Sequence, residues 1–226
     1  MAVNTEKYKG IINELAENSV QLVAVSKLQS VMAIREMYDL GQRDFGENYV
    51  QELLEKQQLL PHDIHWHFIG HLQKNKAKYI SQFVQLIHGV DSLDLLKEIN
   101  KQGKKRNRVI NCLFQVHIAQ EETKFGMNET ELGEAILSVR DDTNELSHIC
   151  VKGLMGMASL SEDMKGVRNE MKTLKMLFDK HSYIQVANCH FTHLSMGMSS
   201  DYHLAIEEGS NMVRIGSLLF GERTAK

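Results

Sequence analysis

The 226 residues are 42% hydrophobic and 24% charged, a globular composition, and a chain of this length can bury about 70–75% of its unfolded surface without a disulfide or metal staple. Net charge is −3, from 26 Lys and Arg against 29 Asp and Glu, which removes the overall basic excess that nucleic-acid binding draws on. Cys112, Cys150 and Cys189 form no C-x-x-C pair, no apolar run reaches the ~18 residues that span a bilayer, and the opening MAVNTEKYKG has no apolar leader; the expectation is a reduced, cytoplasmic chain with neither membrane nor nucleic acid as partner.

A helix over Thr5–Glu17 comes first, followed by eight short apolar runs: Leu22–Val25, Asp44–Gly46, His65–Ile69, Leu86–Val90, Cys112–Val116, Gly153–Met155, His193–Ser195 and Met212–Ile215. Between them, helical spacing marks Val31–Leu40 behind Ser30, Leu93–Ile99 behind Ser92, Leu132–Val139 with Asn128 and Glu131 at capping-box spacing, and Val167–Phe178. Eight strands alternating with helices predict a parallel sheet, and eight such units close into one (β/α)8 TIM barrel over residues 1–226. The rival is an open doubly wound sheet. It calls for a glycine-rich loop after the first strand, where this chain has Ser26-Lys27-Leu28-Gln29.

In a barrel, chemistry sits at the C-terminal strand ends. Lys27 shares a strand face with Val23 and Val25, so if that face lines the interior the lysine reaches the mouth, where apolar enclosure would free its amine to attack a carbonyl. The alternative is a solvated lysine past a strand end. On the last strand Arg214 alternates with Met212, and Gly216-Ser217 opens the next helical turn, a place where unpaired amides suit a phosphate. The loop before it, L-S-M-G-M-S-S, offers Ser195, Gly197, Met198, Ser199 and Ser200 at the same height. A lysine amine and a phosphate seat at one mouth suggest a phosphorylated aldehyde, of which pyridoxal 5′-phosphate (PLP) is the commonest, with Arg214 against the ring nitrogen. Being permanently cationic, arginine donates to that nitrogen without protonating it, which weakens the ring as an electron sink. A cofactor-free lyase acting on a sugar phosphate through Lys27 is a further reading, and it lacks an identifiable proton-shuttling partner.

Several ordered motifs carry a family resemblance: L-V-A-V-S-K ending at Lys27, F-G-E-N-Y-V-Q-E from Phe45, W-H-F-I-G-H-L-Q-K-N-K from Trp66, V-D-S at Val90–Ser92, K-F-G-M at Lys124–Met127, G-L-M-G-M at Gly153–Met157, L-S-M-G-M-S at Leu194–Ser199 and V-R-I-G-S-L-L-F-G at Val213–Gly221. In these the chain resembles the PLP homeostasis proteins, single-domain relatives of the N-terminal barrel domain of alanine racemase. The resemblance implies that Lys27 is the Schiff-base lysine, that Arg214 faces the ring nitrogen and that Ser195, Gly216 and Ser217 hold the phosphate. It further implies that Asn48 lies near the phenolic oxygen and that Met157 and Met198 lie close to the cofactor. Such proteins are monomeric or weakly dimeric PLP carriers, with no established reaction, that act in vitamin B6 balance, and transfer of PLP to PLP-dependent apo-enzymes is a further expectation of the carrier reading; they lack the second domain of alanine racemase, and this chain ends soon after Gly221. A PLP-dependent amino-acid racemase-like enzyme is the alternative. The sequence departs from the family in S-K-L-Q-S, where Thr-Lys-Pro is frequent, in Gly-Ser for the usual Gly-Thr, and in the loosely matched Ser161–Lys180.

Other features read more plainly. His65, His67 and His71 are expected as core or mouth histidines rather than metal ligands, Lys104–Arg108 as a solvated loop, Lys74, Lys76 and Lys78 as a solvated helix face, and the twelve methionines as core filler. Glu47 and Glu52 could form a proton-transfer pair, but Glu52 falls in a helical stretch and reads as surface.

Overall fold

The computed structural model describes residues 3–121 and 124–221. In helix α1 (Thr5–Glu17) the buried Tyr8, Ile11 and Leu15 recur at helical spacing, and Asn4 Oδ1 caps the start by accepting from the Lys7 amide at 3.0 Å. There follow β1 (Gln21–Val25), α2 (Val31–Asp39), β2 (Asp44–Glu47), α3 (Val50–Leu59), β3 (His65–Phe68) and the short α4 (Ala77–Ile80). The chain continues through β4 (Leu86–Val90), α5 (Leu93–Arg106), β5 (Ile110–Val116), α6 (Glu129–Asp141), β6 (Ile149–Gly156) and α7 (Met164–His181). It ends with β7 (Gln185–Val186), β8 (Cys189–Ser195), α8 (Tyr202–Glu207), β9 (Met212–Ile215) and α9 (Ser217–Phe220). The caps expected at Ser30, Ser92 and Asn128 are made, the last as a full capping box with both bonds at 2.9 Å.

Strands β1 to β6 pair in sequence, β6 pairs with β8, β8 with β9 and β9 with β1, all in parallel. The sheet therefore closes as the expected eight-stranded TIM barrel, and β7 is a two-residue strand antiparallel to β8 on its outside. Strands β6 and β8 each start four residues earlier than expected, at Ile149 and Cys189. Gly153 has φ +141, a Cβ there would sit 2.0 Å from the His193 carbonyl oxygen, and the β6–β8 register shifts just before it. That irregularity breaks the period-two pattern, so only the segments after it are legible as strand. Helix α3 escapes the sequence pattern for a different reason: only Leu53 and Lys56 on it are buried.

The large apolar core lies between the sheet and the helices, and a second cluster of Val23, Leu86, Leu113, Met155 and Met212 fills the barrel itself. Val23 belongs to that inner cluster, so the Val23–Val25 face does point into the barrel. The methionines divide: Met37, Met155, Met171 and Met212 are buried, whereas Met32 and Met176 are exposed. Lys104–Arg106 is the last turn of α5 rather than a loop, and Arg108 donates to the carbonyls of Ser81 and Val84 at 3.0 and 2.5 Å. Among the described residues no helix is long and apolar enough to cross a membrane.

Candidate functional site

A cavity of about 750 Å³ opens at the C-terminal end of the barrel, within the usual range of about 300–1,000 Å³ for small-molecule sites. Lys27, Asn48, Met157, Met198, Arg214, Gly216 and Ser217 all line it, with Ser199 and Ser200 beside them. Val25, Ile69, Leu160 and Leu218 supply apolar wall. A smaller neighbouring cavity of about 460 Å³ shares Asn48 and is lined by Tyr49, His71, Lys76 and Tyr79.

Ser195 is absent from the wall. It is fully buried one layer below, where its hydroxyl accepts from Arg214 Nη1 at 2.6 Å and faces His88 Nδ1 at 3.2 Å. Arg214 also donates to the carbonyls of Ser195 and Gly156 at 2.8 and 3.0 Å. Among the described residues these bonds take three of the five N–H groups of the guanidinium, and Arg214 also lines the cavity. Burial pulls the Arg214 pKa down to about 10, which keeps it cationic at neutral pH.

The turn at Gly216 carries less of the helix dipole than the sequence suggests, because α9 is a single turn and the Gly216 amide donates to Ser199 Oγ at 3.2 Å. Ser199, Ser200 and Ser217 line the same cavity. Asn48 is fixed through its backbone, since a Cβ on Gly70 would lie 2.4 Å from the Asn48 carbonyl oxygen, an approach that only glycine permits. Its side-chain Oδ1 is buried with no hydrogen-bond partner among the described residues. Such an orphaned amide end is costly unless a ligand meets it.

The loop that presents Lys27 is held from outside the barrel. Leu28 sits in the left-handed region at φ +62, and its amide donates to Glu52 Oε1 at 2.6 Å. Proline, locked near −65°, cannot take that conformation, so the Lys27-Leu28 departure from Thr-Lys-Pro gives this loop its own shape. Lys56 Nζ then ties Glu52 Oε1 at 2.6 Å to Glu47 Oε1 and the Ser26 carbonyl, both at 2.7 Å. Glu52 is thus a structural anchor with a side chain only 20% exposed, and Glu47 is buried behind the sheet, away from the cavity. Burial pushes the Glu47 carboxyl above its usual range despite the neighbouring Lys56 ammonium.

The three histidines take different places. His65 is half exposed at the N-terminal end, His67 is buried inside the barrel, and His71 stacks on Phe125 at the mouth with ring centroids 4.0 Å apart. Among the described residues no group of three or more His, Cys, Asp or Glu side chains could hold a metal ion.

The geometry defines a (β/α)8 barrel with a lysine amine, an arginine and a hydroxyl-lined wall facing one mouth cavity. The family described as "Alanine racemase, N-terminal domain" matches residues 5–224. The pyridoxal phosphate homeostasis protein of Aquifex aeolicus is 43% identical over 208 residues, covering 92% of this chain and 89% of that protein. The protein of the same name from Schizosaccharomyces pombe is 38% identical over 208 residues, covering 91% and 85%. The structure of PipY from Synechococcus elongatus PCC7942 with PLP bound superposes with a TM-score of 0.85 at 34% identity, covering 96% of this chain and 99% of PipY. The chain belongs to the pyridoxal phosphate homeostasis protein family.

Proposed function

We propose that this protein binds PLP reversibly in the barrel-mouth cavity and serves vitamin B6 balance as a cytoplasmic carrier that passes PLP to PLP-dependent apo-enzymes. One observation carries the reading: Lys27, Arg214 and three serines, Ser199, Ser200 and Ser217, line one cavity. The unpartnered Asn48 Oδ1 fits a ligand with a polar ring substituent. When bound, PLP supplies an aldehyde that bonds to amines and a ring that draws electron density from the attached carbon.

Lys27 is the attachment amine. Arg214 holds the ring nitrogen as a donor; cationic at neutral pH, it does not hand over a proton, which favours retention over carbanion chemistry. Ser199, Ser200 and Ser217, with the turn at Gly216, hold the phosphate, and Ser195 supports Arg214 from beneath. Asn48 meets the phenolic oxygen, while Met157 and Met198 pack near the ring.

The test is the visible spectrum of purified protein before and after borohydride, with mass mapping of the reduced peptide. A yellow band that disappears on reduction, with the added mass on Lys27, is expected. Lys27→Ala should abolish covalent attachment and leave thermal unfolding cooperative, because Lys27 lies at the mouth and outside the packed layers. A colourless protein that takes up no added PLP would sink the reading and advance the cofactor-free lyase. Racemase activity that vanishes in Lys27→Ala would replace the carrier by a catalyst.

A further inference from the structure

A buried row of polar side chains crosses the barrel interior beneath the cavity. Asp44 Oδ1, at the start of β2, lies 2.9 Å from His67 Nε2; His67 Nδ1 lies 2.9 Å from His88 Nε2; His88 Nδ1 lies 3.2 Å from Ser195 Oγ; and Ser195 Oγ lies 2.6 Å from Arg214 Nη1. His67, His88, Ser195 and Arg214 are all buried, so none of them turns to bulk water instead.

We propose that Asp44 positions the Arg214 guanidinium through this row, with His67, His88 and Ser195 as intervening positioning residues whose hydrogen bonds all run one way. The inference rests on the PLP reading only for what Arg214 holds. Its direction follows from donors and acceptors. An ionised carboxylate only accepts, so His67 carries a proton on Nε2, and with one proton per ring its Nδ1 is bare. The bare Nδ1 requires a donor, so His88 carries its proton on Nε2 and presents a bare Nδ1 to Ser195. The Ser195 hydroxyl donates there, and its lone pairs remain for Arg214 Nη1. Reversing the row without adding a proton would set a bare His67 Nε2 against the Asp44 carboxylate, two acceptors at 2.9 Å.

Burial, with the Arg214 cation nearby, holds His88 well below the usual histidine range, so that ring is uncharged at neutral pH. At the other end burial alone would raise Asp44, but the hydrogen bonds it accepts from His67 and His65 lower the carboxyl. A residue at the N-terminal end of the barrel thereby decides which way the Ser195 hydroxyl points under the arginine. The same logic fixes a histidine tautomer in carboxylate–histidine–hydroxyl triads.

The first readout uses the protein without cofactor, so that failure of the PLP reading leaves it intact. Long-range proton–nitrogen correlation spectra should show His67 and His88 as neutral Nε2–H tautomers. A protonated His67, or a proton on His88 Nδ1, would overturn the proposal. The second readout uses Asp44→Asn, whose amide can donate to His67 and turn the row around. With PLP loaded, this variant should release it about tenfold faster and move its visible absorption maximum, the scale expected for a misdirected hydrogen bond to a charged group. His65→Gln, which removes a 3.3 Å neighbour of Asp44 outside the row, should leave the release rate unchanged. A folded Asp44→Asn protein with reversed tautomers and unchanged release would refute the link to Arg214. The wild-type spectra decide the direction even if that variant does not fold.

Discussion

Two buried polar assemblies flank the mouth cavity, and they hold it by different means. Outside the barrel, Glu47, Lys56 and Glu52 form a compact ionic cluster that grips backbone: the Ser26 carbonyl and the Leu28 amide on either side of Lys27. Inside, Asp44, His67, His88 and Ser195 form a drawn-out row that grips a side chain, the Arg214 guanidinium. The difference follows from what each must fix. A loop with a left-handed residue is secured by strong acceptors on its amides, where the Lys56 ammonium offsets part of the carboxylates' desolvation. A cation that must face a ligand needs support from acceptors on one side only, and the Ser195 hydroxyl with the Ser195 and Gly156 carbonyls provides it without neutralising the cation.

The sharpest way to break the outer assembly is Lys56→Met, which leaves the fully buried Glu47 without its cation. The expected loss is about 3–5 kcal/mol in urea unfolding at neutral pH. A loss under about 1 kcal/mol would mean that Glu47 takes up a proton in place and that the loop is held without charge. The inner row should respond less. Ser195→Ala strands His88 Nδ1 and one Arg214 N–H, at about 1–3 kcal/mol by the same measurement.

Acid titration separates the two assemblies by sign. The Asp44 carboxyl is lowered in the folded state, so its contribution is complete above the unfolded value near 3.8 and is lost as pH falls through the folded value. Glu47 is raised, so the folded protein takes its proton before the unfolded chain does, and stability rises as pH falls from that raised value toward 4.5. Unfolding free energies followed into the acid range should lose the first effect in Asp44→Asn and the second in Glu47→Gln; parallel changes in both variants would contradict the assignment. The smallest effect belongs to Leu28→Gly. Leu28 is 64% exposed at φ +62, so glycine should relieve backbone strain and gain about 0.5 kcal/mol, whereas a loss beyond about 1 kcal/mol would show that the leucine side chain packs.

Much of the mouth was legible in the chain itself because strand alternation is a local rule. Lys27 follows Val23 and Val25 on one face, Arg214 follows Met212, and both reach the cavity. Ser195 illustrates the limit. It sits at the right height in its loop, yet it turns beneath Arg214 while Ser199 and Ser200 reach the wall, because turn geometry after a strand end is not periodic. Glu52 misled for a related reason: it lies on α3, a helix with little apolar signal, and its anchoring role depends on Leu28, 24 residues away.

The sequence alone determined the order of strands and helices, the barrel they close and the face on which Lys27 and Arg214 stand, since each depends on spacing within one element. Only the tertiary structure decided that Asp44, His67, His88 and Ser195, from four different strands, meet inside that barrel. The alternation puts His67 and His88 on inward positions, but whether two inward side chains touch depends on strand tilt and stagger around the closed sheet, and these are properties of all eight strands together.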